Sequence, residues 1–336
     1  MTHELKTIVS HYEKKLPDGE LAVLATVVAL DGSSYRRPGV RMLIFESGDI
    51  VGAVSGGCVE KEVLRQAQAV FQTGISRIMV YDGRYRLGCE GILYILLEVF
   101  EPSTAFLSQF WNTVQKRLPF RIQSYYEKNQ GDSQDYFTCF HFAEASLPVN
   151  QHTKNIEKEL LDFEQEMHPC FQLVIIGAEH DAVQLCKYAS LTGWEVTIVS
   201  NPREEKTTED FPGIHKLLTV EPEAFQLTLD KQTAVLVMTH SFVKDLQFLI
   251  SLKEERAAYI GLLGPFRRRE KLFAELMERC PDISEEYIEH IHGPAGIDIG
   301  AETPQEIAIS ILSEILSVVN NKEPLLLKHK MGNIHS

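Results

Sequence analysis

The sequence predicts an α/β protein in two parts, an α+β first half followed by a doubly wound parallel sheet. Three observations predict it. The second half alternates short Val- and Ile-rich runs with helical segments, beginning at LVIIG (173–177). The first half instead sets several strand-like runs around two helical segments. The chain of 336 residues is long enough for two domains.

Each element follows from a local pattern. Residues 4–15 read as an opening helix, and the apolar run LAVLATVVAL (21–30) as a buried strand. Residues 42–45 and 50–54 flank ESGD, a hairpin turn containing Gly48. From Val59 to Phe71 the apolar residues fall at 59, 63, 67, 70 and 71, one face of a helix that Gly74 stops. Residues 77–81 and 92–100 read as strands, and 121–126 with 136–142 as a hairpin around a polar loop. The first domain is thus expected over 1–145 and a polar linker, with room for one helix, over 146–169. The second domain, 170–325, has strands at 173–177, 196–200, 234–240 and 259–264. Helices fall at 181–192, closed by Gly193, and at 244–253 and 267–279. In its last helix Thr303 caps, Pro304 takes the first position and Glu306 completes a capping box. Residues 326–336 are expected to form a polar tail.

Composition excludes several function classes. The net charge of −14 argues against a duplex nucleic-acid binder, which would present a basic face. No run reaches the roughly 18 apolar residues that span a bilayer, and the start has no signal-peptide core. A cytoplasmic protein with no membrane partner is expected. Six cysteines without a CxxC pair are neither a disulfide framework nor a zinc-site pattern.

The chemistry concentrates in a few loops. In VSGGC (54–58), Ser55, Gly56 and Gly57 precede Cys58 at a helix start. Unpaired amides there attract anions, and a thiol at that place gains thiolate character, which suits a soft metal. The alternative is a tight strand–helix turn around an inert cysteine. In GSSYRRPGVRM (32–42), Ser33, Ser34, Arg36, Arg37 and Arg41 form a basic loop in an acidic chain, suited to phosphate or carboxylate. A solvated loop pairing with surface carboxylates is the other reading. In RLGCEG (86–91), Cys89 lies between Gly88 and Gly91 just before a strand. In the second half Gly177, His240, Gly264, Arg267 and Asp298 would gather at the carboxyl edge of the sheet, where open α/β folds bind ligands. GAEHDA (177–182) keeps one glycine of the dinucleotide fingerprint, with Glu179 and Ala182 at the other two places. Ser200-Asn201 stands where an acidic ribose ligand belongs, so NAD(P) gains little support.

Taken together, GSSYRRPGVRM, VSGGCVE, LGCEG, LVIIGAEH, VLVMTH, YIGLLGPFRRR and IHGPAGIDIGAETPQEIAISILSEI resemble the xanthine dehydrogenase accessory (XdhC/CoxI) family. The resemblance implies an XdhC/CoxI-type first domain and a Rossmann-like second one. It also implies a maturation chaperone that binds the molybdenum cofactor, molybdopterin with its metal. Such a chaperone supports the cofactor's sulfuration with a cysteine desulfurase, delivers it to a xanthine dehydrogenase-type molybdenum hydroxylase, and works as a homodimer. Cys58 and Cys89 would be the candidate metal-facing residues. The family's Rossmann loop reads GAGH followed by glycine, and GAEHDA departs from it. Two other readings stay open: an NAD(P)-dependent oxidoreductase, and a scaffold that binds only the hydroxylase. The chain has no iron–sulfur spacing and no flavin fingerprint, so it is not expected to be the dehydrogenase itself.

Overall fold

The computed structural model describes residues 2–32, 34, 37–55, 57–85, 91–153, 159–227 and 229–331. The chain forms two compact units, Met1–Pro169 and Cys170–Ser336.

In the first unit α1 (Thr2–Lys15), β1 (Ala22–Asp31), β2 (Arg41–Phe45), β3 (Ile50–Gly52), α2 (Cys58–Thr73), β4 (Ser76–Asp82) and β5 (Ile92–Val99) come first. Then follow α3 (Thr104–Gln115), β6 (Phe120–Tyr126), β7 (Gly131–Ser133), β8 (Phe137–His141), β9 (Ser146–Pro148) and β10 (Leu161–Met167). They make a six-stranded sheet, β3-β2-β1-β5-β4-β7, and a four-stranded one, β10-β6-β8-β9. Every named strand pair in both is antiparallel. β1 is mostly apolar, and its first seven residues are buried, because both its faces are covered there. Val23, Ala25 and Val27 pack with Val59, Val63, Ala67 and Val70 of α2. Ala22 and Leu24 join Leu5, Ile8, Val9 and Tyr12 of α1 and an aromatic cluster around Phe106 and Phe140. The α1 residues recur at i, i+3, i+4 and i+7, so one stripe of the helix is removed from water.

The second unit runs β11 (Gln172–Ile176), α4 (His180–Leu191), β12 (Glu195–Ser200), β13 (Lys216–Thr219), β14 (Thr233–Val237) and α5 (Phe242–Leu252). It continues with β15 (Tyr259–Leu262), α6 (Phe266–Arg279), α7 (Glu285–Glu289), β16 (Ile291–His292) and α8 (Pro304–Val319). The sheet order is β13-β12-β11-β14-β15-β16, parallel throughout. α4 and α8 cover one face, and α5, α6 and α7 the other. The order reverses between β11 and β14, which is the switch point of a doubly wound fold. The capping box expected at Thr303 forms, with Glu306 N on Thr303 Oγ1 (3.3 Å) and Thr303 N on Glu306 Oε2 (2.9 Å).

The structure departs from the sequence reading in several places, including the unexpected β7, β13, α7 and β16. α3 was not expected, although Ser103 caps it and apolar residues recur at 106, 107, 110, 111 and 114. The stretch 146–169, expected as a linker, contains β9 and β10. β10 is an edge strand whose Asp162, Glu164 and Glu166 sit on alternate positions, so acidic side chains mask its period of two. The tail expected to be polar from 326 opens with exposed Leu326 and Leu327, next to exposed Leu325.

Candidate functional site

Antiparallel pairing brings the three chemistry-bearing loops of the first unit to one staggered edge of the six-stranded sheet. Asp31 ends β1 opposite Ile92, which begins β5, and Asp82 ends β4 opposite the same Ile92. Arg41 begins β2 opposite Thr26, and Gly52 ends β3 opposite Met42. The loops 32–40, 53–57 and 83–91 therefore leave the sheet on the same side. Ser33, Arg36, Gly56 and Cys89, and the side chain of Cys58, lie outside the described residues. Among the neighbours that are described, Ser34 is half-buried, Arg37 exposed and Gly57 exposed. Cys58 is the first residue of α2.

The turn before α2 is capped from within the chain. Glu60 is buried, and its two carboxylate oxygens accept Ser55 N–H and Gly57 N–H, each at 2.7 Å. Two of the amides that the sequence offered to an incoming anion are thus already paired. Gly57 has φ +116°, a conformation L side chains rarely adopt, and open space where a Cβ would stand. The glycine serves the backbone path and leaves the edge unobstructed.

Arg41 stands apart from the other basic residues. It is buried on β2, and Nη1 donates to the Gly39 carbonyl (2.8 Å) and to Gln165 Oε1 of β10 (2.7 Å). Its Nε and Nη2 are buried with no hydrogen-bond partner among the described residues. Burial brings its guanidinium down to about 10, still charged at neutral pH. Arg41 therefore supports the basic loop from beneath, while Arg37 is the described arginine that faces solvent there.

In the second unit Gly177 and His240 follow β11 and β14, the pair at the switch point, while Gly264 and Arg267 follow β15 and Asp298 follows the edge strand β16. Gly177 has φ +134°, and a Cβ there would come within 2.5 Å of the Met238 carbonyl oxygen, so only glycine fits between β11 and β14. Beside it, Gly177, Glu179, Ser200, Asn201, Glu204 and Thr239 line a cavity of about 10 Å³. That is room for about one water. Asn201 Nδ2 donates to Glu221 Oε2 at 2.7 Å, which ties the second strand's end to the next loop. These residues do not fit an NAD(P) pyrophosphate and ribose.

His240 follows β14 in the left-handed region, φ +58°. Its backbone is held by a buried network. Asp245, 1% exposed, accepts Thr239 N (3.0 Å) and Thr239 Oγ1 (2.6 Å), and pairs with Arg268 Nη2 (2.6 Å). The side chain is half-exposed, with Nε2 4.0 Å from Asp181 Oδ2. The contacts of His240 thus run to Asp181 on α4 and not to Arg267 or Asp298. Arg267 is exposed on the first turn of α6, and Asp298 is exposed in the loop after β16. Gly264 ends the approach to α6, φ +128°, with Arg268 against it. Sequence reasoning missed Glu60, Gln165 and Asp245, and placed Arg268 in the arginine run after Gly264 without its partner Asp245. The signal for Glu60 was its place three residues past the helix cap, the reach of a capping box. Nothing local points to Gln165, because its partners are 124 residues away in the chain.

Among the described residues no three His, Cys, Asp or Glu side chains gather as a metal site. No helix among them is long and apolar enough to cross a membrane.

Comparison with known proteins matches both units. The model of the XdhC and CoxI family covers residues 16–82, and that of the XdhC Rossmann domain covers 173–315. A Bacillus subtilis protein described as a probable xanthine dehydrogenase subunit is 29% identical, over 90% of this chain and 94% of its own. The Escherichia coli molybdenum cofactor insertion chaperone PaoD is 26% identical, over 96% of this chain and 91% of its own. A crystal structure from Bacillus halodurans, described as a xanthine dehydrogenase, superposes with a TM-score of 0.76 at 25% identity, covering 94% of this chain and 96% of that one.

Proposed function

Because the chain belongs to the XdhC and CoxI family, we propose that it is a maturation chaperone that carries the molybdenum cofactor to a xanthine dehydrogenase-type molybdenum hydroxylase. The observation that carries this reading is the convergence of the loops 32–40, 53–57 and 83–91 on one sheet edge. The name of the similar Escherichia coli chaperone supports the same cargo.

In this reading Ser33, Ser34, Arg36 and Arg37 take the cofactor's phosphate and pterin, because guanidinium forks and hydroxyls pair with such oxygens. Cys58 and Cys89 are the thiols that would serve its metal and sulfur end, which favours thiolate. The cofactor, when bound, supplies the metal–sulfur centre that the target enzyme uses. This chain's residues bind it, orient it and limit its exposure to water. Sulfuration by a cysteine desulfurase and delivery by a homodimer complete the proposal. The strand-end residues Gly177, His240, Gly264, Arg267 and Asp298 serve a ligand or partner group other than a dinucleotide.

The test is to produce the protein in cells that synthesise the cofactor and to measure bound molybdenum and released pterin. Near-stoichiometric amounts are expected in the wild type, with at least tenfold less in Arg37→Ala and in Cys58→Ser. A tenfold loss is about 1.4 kcal/mol of binding, within reach of one charged contact. No pterin in the wild type would overturn the carrier reading and leave a protein-binding scaffold.

A further inference from the structure

We infer that the outward face of α8, together with the segment that follows it, is where two copies of this chain pair. The inference deepens the homodimer of the proposed function and rests on that reading for the second copy.

α8 packs Ala308, Ile311, Leu312 and Ile315 into the core of the second unit. Its outward face carries Glu306, Ile309, Ser313, Leu316 and Asn320, at alternating spacings of three and four residues. That is the seam spacing of paired helices. Ile309 and Leu316 are 44% and 45% exposed. Between them Ser313 donates its hydroxyl to the Ile309 carbonyl at 2.7 Å. The middle of the seam is therefore apolar and small, which lets a second helix come close. Past the helix, Lys322 N–H donates to the Ser317 carbonyl at 2.9 Å and ties the next segment to the helix end. That segment exposes Leu325, Leu326 and Leu327, at 61%, 63% and 62%. It carries Lys328 and Lys330 and has no acidic residue from 324 to 331. The other end of α8 is opposite in sign. Asp298, Glu302 and Glu306 are exposed there, near Ile299, itself 51% exposed. Within one copy the 16-residue helix holds these ends about 24 Å apart, and the leucines stay uncovered. Two copies with antiparallel α8 helices bring each end against its complement. A parallel pair would set Glu306 beside Glu306, and like charge disfavours it. In the antiparallel pair Ser313 meets its own copy at the twofold axis and Ile309 meets Leu316. The leucine segment of each copy then covers Ile299 of the other. With a net charge of −14, a second copy is acidic over most of its surface, so a basic apolar segment is the part that attracts it.

The test uses the full chain and needs no cofactor. Sedimentation velocity at micromolar concentration should give twice the 38.1 kDa of one chain. Ile309→Asp combined with Leu316→Asp should weaken association about a hundredfold, the loss of two apolar anchors. Far-UV circular dichroism should stay unchanged, because both side chains stand outside the core. Lys328→Glu should weaken association about fivefold, and adding Glu302→Lys should restore it. Both residues of this swap are exposed, so it decides the matter even where the aspartates disturb the helix. Ser313→Cys with an added oxidant should give a covalent dimer joined at position 313, mapped by mass spectrometry against the wild type. A dimer that persists in the double aspartate variant and forms no cross-link at position 313 would overturn the inference and leave the homodimer standing. A monomeric wild type would overturn both. Neither result touches cofactor carriage, which is read separately from bound pterin.

Discussion

Glu98 lies on β5, 1% exposed, and accepts Thr138 N (2.8 Å) and Thr138 Oγ1 (2.5 Å). Burial pushes its carboxyl up to about 7, against the opposing pull of those hydrogen bonds and of the Arg41 charge. A carboxyl raised from 4.5 in the unfolded chain is favoured neutral when folded, so folding takes up a proton between those two values. The cost of ionising it is absent below about pH 4.5 and fully present above about pH 7. First-unit stability should therefore fall across that window, by an amount on the order of 3 kcal/mol. Glu98→Gln keeps an acceptor for Thr138 and should flatten the slope. Chemical denaturation followed at Trp111, in a Trp194→Phe background at pH 5 and pH 8, checks this. Equal slopes in wild type and variant would refute it. Residue-scale facts of this kind were invisible in the sequence, because Glu98 reads as one acidic position in a strand. Its partner Thr138 is 40 residues away, and so its burial depends on the second sheet.

Elements were legible where their own residues decide them. α1, α2, β1 and α8 follow from apolar spacing and caps, and their bounds fall close to expectation. α3 was equally readable. Ser103 accepts Phe106 N–H at 3.2 Å and starts the helix whose Phe106 and Phe110 are fully buried. Ser103→Ala should lower first-unit stability by about 1 kcal/mol, measured by the same denaturation. A loss under about 0.3 kcal/mol would mean that tertiary packing alone holds the helix start. β10 and β7 are different. β7 pairs with β4, crossing from the hairpin loop of one sheet to the edge of the other. β10 is an acidic edge strand that becomes a strand because β6 pairs with it. Neither carries enough apolar pattern to declare itself.

At the scale of the molecule, the two units use their glycines and strand ends for different ends. The first unit gathers loops at an open sheet edge. The second keeps the doubly wound plan, with Glu179 and a cavity of about 10 Å³ where that plan usually holds a dinucleotide. Titration calorimetry with NAD and NADPH at up to millimolar concentration is expected to give no binding heat. A dissociation constant below about 100 μM, roughly 5.5 kcal/mol of affinity, would show that the cavity opens and that Glu179 is tolerated.

The amino-acid sequence by itself determined the two-part α/β plan, the positions of its strongest helices and strands, and the motif order that marks the family. These rest on periodicity, caps and glycine placement, which are local and survive without a fold. It also located the candidate loops, and the degenerate GAEHDA loop already spoke against a dinucleotide. Only the tertiary structure decided that loops 32–40, 53–57 and 83–91 share an edge, since antiparallel register is set between strands distant in sequence. It also decided that Arg41 is a buried tie, and that Glu60 holds the amides expected to be open. Burial and hydrogen-bond satisfaction are properties of a packed neighbourhood, and a side chain's neighbours are known only once the chain is folded.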